Sequence, residues 1–177
     1  MGAMPKTQIL AGPQVRLRPP VVEDAEALYT RVASDPEVTR YLSWRPHSGV
    51  TETRRVITTL FNVGDEQTWL IEVDGEVAGV CGRRRPQPYA VELGYCLARQ
   101  WWGRGLMSEA VSLMLTDLRP DPTVYRVTAY CHVDNAGSAA VLRRCGLSLE
   151  GRLARYALFP NISDEPQDVL LFGKAVR

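Results

Sequence analysis

The turn that decides the fold reads Gln100-Trp101-Trp102-Gly103-Arg104-Gly105-Leu106-Met107-Ser108-Glu109-Ala110, and it joins an apolar, strand-like run to a helical pattern. Gly103 and Gly105 can adopt positive φ and carry no Cβ, so successive backbone N–H groups can converge on an anion. The helix that follows adds unpaired amides and the positive end of its dipole. The stretch therefore predicts a loop that binds pyrophosphate, with an ordinary strand-to-helix turn as the alternative.

Two other nucleotide-binding loops do not fit these residues. A P-loop requires Gly-Lys-Ser/Thr, and a dinucleotide fingerprint requires a third glycine near Ser108. Instead, Gln100-x-x-Gly103-x-Gly105 resembles the Gln/Arg-x-x-Gly-x-Gly/Ala signature of the GCN5-related N-acetyltransferases (GNAT). Trp102-Gly103 together with Glu109-Ala110 resembles the RimJ/RimL-type branch of that family. The resemblance implies that the loop binds the pyrophosphate of acetyl-CoA.

The length of 177 residues fits one domain, which we assign to residues 4–177 because Met1-Gly2-Ala3 looks like a cloning remnant. Lys and Arg number 21 against 20 Asp and Glu, and the formal net charge of +1 gives no global reason to expect nucleic acid or an anionic membrane as partner. The chain shows no secretory segment and no apolar run of the roughly 20 residues that a membrane span needs. We therefore expect a cytoplasmic protein.

The cysteines and histidines give little support for a metal site. The four cysteines form no Cys-x-x-Cys pair, and the two histidines, His47 and His132, are far apart in sequence. We expect no metal, and we expect the cysteines to be reduced core residues rather than nucleophiles. These are Cys81, Cys96, Cys131 and Cys145.

The hydrophobic pattern predicts the element order β, α, α, α, β, β, β, glycine loop, α, β, α, β, β. Asp74-Gly75 lies between two β-rich runs and predicts a hairpin. The strands are predicted at residues 15–18, 69–73, 77–81, 91–97, 124–133, 147–153 and 167–175. This order indicates an α/β fold with a mixed, mostly antiparallel sheet and helices on both faces. It matches the GNAT plan, and the resemblance covers about residues 14–175.

The segment Arg83-Arg84-Arg85-Pro86-Gln87-Pro88 is basic and interrupted by prolines. It predicts a loop between two strands. A solvated hairpin connection is one interpretation, and contact with the CoA phosphates or an acidic substrate is the other.

Glu92 is the leading candidate for a general base. It is the only carboxylate in an otherwise apolar strand, and it matches a position where many GNAT enzymes carry a base glutamate. The alternative is a strand glutamate that pairs with an arginine or faces solvent. Tyr130 and Tyr156 are weaker candidates for a general acid, because most tyrosines at a sheet or loop serve packing.

The resemblance also implies roles for the residues around the glycine loop. The backbone of the strand before the loop would pair with the pantetheine arm, Asn135 would hydrogen-bond that arm, and Ser138 would lie near the thioester sulfur. Asn135 also suits a helix N-cap, and Ser138 suits a first helical turn. The cofactor contacts implied are Tyr95, Cys96, Leu97, Gln100, Trp101, Trp102, Gly103, Arg104, Gly105, Leu106, Met107, Asn135 and Ser138.

These features predict an acetyl-CoA-dependent N-acetyltransferase that transfers acetyl directly to a primary amine, with Glu92 and Ser138 as catalytic residues. The family implies a protein α-amine as acceptor, and a small amine is also compatible. The partners expected are acetyl-CoA and the amine acceptor, and the sequence leaves a homodimer open. A catalytically silent acyl-CoA-binding module, recruiting a partner through Arg83–Arg85, is the alternative.

Overall fold

The computed structural model describes residues 7–177, so the proposed remnant and Met4 lie outside the described part. One sheet contains eight strands in the order β1-β2-β3-β4-β5-β6-β8-β7. Neighbouring strands are antiparallel except β5 and β6, which are parallel. The strands are β1 Leu10–Ala11, β2 Arg16–Arg18, β3 Glu66–Val73, β4 Glu76–Gln87, β5 Ala90–Leu97, β6 Arg126–His132, β7 Ser148–Ala157 and β8 Gln167–Ala175. The α/β architecture predicted from the sequence is confirmed.

Five α-helices accompany the sheet within residues 7–177: α1 Ala25–Leu28, α2 Pro36–Thr39, α3 Val50–Thr59, α4 Leu106–Leu118 and α5 Ala136–Arg144. The first predicted helix is interrupted, because a 3₁₀ turn precedes α1 and a π-helical turn, Tyr29–Ala33, follows it. A π turn is closed by a hydrogen bond between residues five apart, so it contains one more residue than an α-helical turn. As a result Leu28, Val32 and Ala33 are all buried. Within the described residues, no helix is long and apolar enough to cross a bilayer.

The basic segment is not a loop, which corrects the sequence prediction. Strand β4 continues through Arg83 to Gln87 and pairs with β3 and β5. Arg83 is only 5% exposed; its guanidinium donates to Gln67 Oε1 at 2.6 Å and pairs with Asp117 at 2.6 Å. A buried cation is tolerated when it is paired and hydrogen-bonded in this way.

The next two arginines of this segment are also paired. Arg84 pairs with Glu92 across the strands, and Arg85 pairs with Asp121. The strand therefore holds its three positive charges by contacts within the protein. The alternative interpretation, contact with CoA phosphates or an acidic substrate, is therefore disfavoured, because the protein's own carboxylates engage all three arginines.

The parallel contact between β5 and β6 is short. The register pairs Ala90 with Arg126, Val91 with Val127 and Glu92 with Thr128, and then stops. Both strands continue beyond this point, so they diverge. Helix α4 connects them and buries one apolar face in the core through Leu106, Met107, Ala110, Val111, Met114 and Leu118.

Candidate active site

The divergence of β5 and β6 opens a cleft of about 1400 Å³. The ends of both strands, the glycine loop (residues 100–105) and the starts of α4 and α5 form one part of its wall. The segment between α2 and α3 forms another part. Clefts at the carboxyl ends of diverging parallel strands are common ligand sites in α/β proteins.

The glycine loop has the conformation that its sequence predicts. Gly103 has φ 73° and Gly105 has φ 77°, and no atom lies within 4 Å of a Cβ built at either position. Gly105 is the N-cap of α4 and supplies no side-chain acceptor to the first-turn amides. Those amides are unpaired donors at the positive end of the helix dipole. The loop therefore fits an anionic group such as pyrophosphate.

The predicted loop residues divide into two groups. Trp101, Trp102, Gly103, Gly105, Leu106 and Met107 line the cleft. Gln100 and Arg104 are exposed and lie outside the lining, with the Arg104 guanidinium 4.8 Å from the Trp101 ring centre. The Trp102 indole donates to Leu97 O at 2.6 Å, which connects the loop to the end of β5. In residues 7–177, the buried side-chain polar atoms without a partner are Trp101 Nε1, within this loop, and Ser108 Oγ, in the first turn of α4.

The last residues of β5 present one free edge to the cleft. Tyr95, Cys96 and Leu97 pair with β4 on one side. The pairing with β6 on the other side ended at Glu92. Backbone groups along this edge can therefore accept an extended ligand, as a β-strand accepts a neighbour.

Glu92 lies on the cleft wall and is paired with an arginine. Arg84 Nε and Nη2 donate to Glu92 Oε1 at 2.9 and 2.7 Å. The geometry therefore shows the arginine-paired arrangement that the sequence left open, at a position that still lines the cleft. Burial and, next, the Glu92 charge raise the pKa of Tyr130, which lines the same region. Tyr156 is half exposed and packs edge-on against Tyr130.

Asn135 and Ser138 are brought together at the start of α5. Asn135 Oδ1 accepts from Ser138 N–H at 3.0 Å, so Asn135 is the N-cap of the helix. Ser138 is half-buried, and its Oγ lies 2.9 Å from the Tyr95 hydroxyl oxygen. Burial raises the pKa of Tyr95, so the phenol stays protonated well above neutral pH.

Several cleft residues were missed by the sequence analysis. Tyr41, Trp44 and Phe159 also line the cleft. Asn161 Nδ2 donates to Thr39 O and Trp44 O, both at 2.7 Å, and so connects the β7–β8 loop to the α2–α3 segment. No local pattern marks such contacts, because they join loops more than a hundred residues apart.

Arg144 was also missed. It lines the cleft from the last turn of α5, and within residues 7–177 no carboxylate forms an ion pair with it. The neighbouring Arg143 instead lies over the Phe172 ring. A basic pair at the end of a helix is usual, so the sequence alone did not separate the two arginines.

The four cysteines are free thiols. Burial is the first cause that raises the pKa of each, to about 12 for Cys96. A thiol held protonated is a poor nucleophile. In the described part of the chain, no three His, Cys, Asp or Glu side chains converge in a way that could hold a metal ion.

The sheet, the glycine loop and the open strand edge together form a site that fits an extended ligand with a pyrophosphate group. The family model described as "Acetyltransferase (GNAT) domain" matches residues 14–148. The chain therefore belongs to the GNAT family. It is an N-acetyltransferase, and acetyl-CoA is its acyl donor.

Similar proteins place it near the RimJ/RimL branch. The uncharacterized N-acetyltransferase p20 of Bacillus licheniformis is 29% identical over 150 residues, covering 81% of this chain and 84% of that protein. The ribosomal-protein-serine acetyltransferase of Escherichia coli (strain K12) is 29% identical over 130 residues, or 71% of each chain. A solved structure of RimL, the ribosomal L7/L12 alpha-N-protein acetyltransferase, in complex with coenzyme A, has a TM-score of 0.83 and 25% identity. The structural match covers 95% of this chain and 98% of the RimL chain.

Proposed function

We propose that the protein transfers acetyl from acetyl-CoA to a primary amine, either a protein N-terminal α-amine or a small amine. The observation that carries this proposal is the convergence of the glycine loop, the free β5 edge, Glu92 and Ser138 on one cleft. Two relatives named above are acetyltransferases of ribosomal proteins, which supports a protein acceptor. With such an acceptor the enzyme would work in the cytoplasm. A homodimer remains part of the proposal.

The acceptor chemistry favours an α-amine. Its ordinary pKa of about 7.7 to 8.0 leaves a useful neutral fraction at pH 7, whereas a lysine at about 10.4 leaves roughly one part in 2,500. The site then needs only to position the amine against the thioester, accept one proton and stabilise the departing thiolate. In this scheme the amine nitrogen forms a bond to the carbonyl carbon and the carbon–sulfur bond breaks. No covalent enzyme intermediate is needed.

In this proposal Glu92 accepts the proton that the amine loses, directly or through one water. Glu92→Gln keeps the shape of the side chain and removes its basicity. We expect kcat/KM to fall by about 10²- to 10⁴-fold, the usual contribution of a general base. The dissociation constant of acetyl-CoA should stay nearly unchanged, since the glycine loop and the β5 edge are untouched.

Arg84→Gln is the matched control for Glu92, because it breaks the same ion pair and keeps the carboxylate. If Glu92 served only that pair, the two variants would lose similar stability and would retain similar turnover per folded molecule. A full rate in Glu92→Gln at neutral pH would assign the proton to water or to another group.

A single experiment separates the enzyme from the silent binding module. Acetyl-CoA binding is titrated by calorimetry, and release of free CoA thiol is then followed over a panel of amines that includes peptides with free N-termini, lysine and small amines. Turnover on an α-amine supports the proposal. Binding without turnover on any acceptor would favour the module.

A further inference from the structure

Tyr95 makes a side-chain contact in the cleft that its strand position does not require. Its ring belongs to β5, and its hydroxyl reaches 43 residues along the chain to α5. There the hydroxyl lies 2.9 Å from Ser138 Oγ and 3.3 Å from Ser138 O. Both residues line the cleft. The contact therefore joins the end of β5 to the start of α5 along the wall of the cleft in which the pantetheine arm is proposed to lie.

The Tyr95 contact controls what the Ser138 hydroxyl can do. A hydroxyl has one proton and two lone pairs, and in this pair either oxygen can be the donor. The Tyr95 proton can go either to Ser138 O or to the nearer Ser138 Oγ, and when it goes to Oγ the serine proton is free to point elsewhere in the cleft. Linked hydroxyls also polarise one another, which strengthens the outer hydrogen bond.

We propose that Tyr95 is a positioning residue that orients the Ser138 hydroxyl to hydrogen-bond the sulfur of CoA and so stabilise its thiolate. The inference rests on the proposed location of Ser138 beside that sulfur. Neither hydroxyl loses its proton in this scheme. The proton removed from the amine is the one that finally neutralises the thiolate, so the reaction balances with no other participant.

The test measures the ionisation of bound CoA and needs no acceptor amine. The thiolate of CoA is followed by its ultraviolet absorbance as pH is raised, with the complex of desulfo-CoA as the baseline. The protein's own thiols interfere little, because burial raises the pKa of all four. A hydrogen bond to the charged form lowers the pKa of a thiol. Wild-type protein should therefore ionise bound CoA at a lower pH than free CoA.

Tyr95→Phe removes only the hydroxyl. At a pH below the midpoint we expect about threefold less thiolate in bound CoA than in the wild type, and about tenfold less in Ser138→Ala. The double variant should match Ser138→Ala alone, because Tyr95 acts through Ser138. Tyr125→Phe, at an exposed tyrosine outside the cleft lining, is the control that should change nothing.

Equal thiolate fractions in the wild type and Tyr95→Phe would overturn the inference, as would additive losses in the double variant. Melting temperatures verify that each variant is folded, and Ser138→Ala tests the same hydrogen bond if Tyr95→Phe does not fold. The proposed function is judged separately. A wild-type protein that shifts the ionisation of CoA but acetylates no amine would keep this inference and overturn the function.

Discussion

Gly105 holds a left-handed backbone at the point where α4 begins, with open space where a side chain would stand. We expect Gly105→Val to abolish acetyl-CoA binding in calorimetry, since the new side chain would enter the space assigned to the pyrophosphate. Backbone strain should cost about 1–2 kcal/mol of stability. The fold should survive, because no protein atom lies within 4 Å of the added Cβ.

Gly64→Val provides the matched control for this strain. Gly64 also has positive φ, 63°, and open space around its Cβ, but it lies outside the cleft. The two variants should lose similar stability, and only Gly105→Val should lose the ligand. Normal CoA affinity in a folded Gly105→Val protein would remove the glycine loop from the site.

At the scale of one element, Asn135 at the start of α5 combines a structural role with a proposed binding role. Its Oδ1 caps the helix, whereas the proposed pantetheine contact can also use the amide nitrogen. Asn135→Asp keeps a capping oxygen and loses the amide donor. We expect this variant to retain its melting temperature and to bind acetyl-CoA at least several-fold more weakly, measured by calorimetry.

Asn135→Ala removes both functions and should also lose about 0.5–2 kcal/mol of stability, the usual cost of removing an N-cap. Its free energy of unfolding, from urea titration, gives the capping contribution alone. If Asn135→Asp bound acetyl-CoA as tightly as the wild type, Asn135 would be a cap and nothing more.

The elements also show which parts of the structure a sequence can predict. The glycine loop, the Asp74-Gly75 hairpin and the α5 cap depend on residues close together in the chain; the first two were predicted, and the cap was the alternative role given to Asn135. The path of β4 through Arg83 was not, because Asp117 and Gln67, which make it possible to bury this arginine, are remote in sequence. The Tyr95 contact with Ser138 was missed for the same reason, although each residue was assigned to the site on other grounds.

At the scale of the whole molecule, the buried thiols make stability depend on pH. Burial raises the pKa of Cys81, Cys96 and Cys131 in the folded state above the ordinary value of 9.0. The native state then binds more protons than the unfolded state above about pH 9. The stabilisation is fully present below that pH and is lost as pH rises toward the folded values, about 12 for Cys96.

We therefore expect the free energy of unfolding, measured in urea from pH 8 to pH 10.5, to decline above about pH 9. Each thiol that titrates only when unfolded contributes up to about 1.4 kcal/mol per pH unit. Cys96→Ala should decline less steeply than the wild type over this range. A wild-type protein with constant stability up to pH 10.5 would show that these thiols ionise as easily in the folded state as in the unfolded state.

The short parallel contact between β5 and β6 has a consequence for how fast the enzyme is degraded in the cell. Within the sheet, three residue pairs join the strands β1–β5 to β6, β8 and β7. A pantetheine arm along the free β5 edge would add hydrogen bonds where the pairing with β6 has ended. A ligand that binds only the native state stabilises that state, and the stabilisation grows with the ligand concentration. Amides at residues 93–97 should then exchange more slowly with deuterium when CoA is bound. Proteases that act on locally opened chains should in turn degrade the enzyme fastest when acetyl-CoA is scarce, so its abundance would follow the cell's supply of its own substrate.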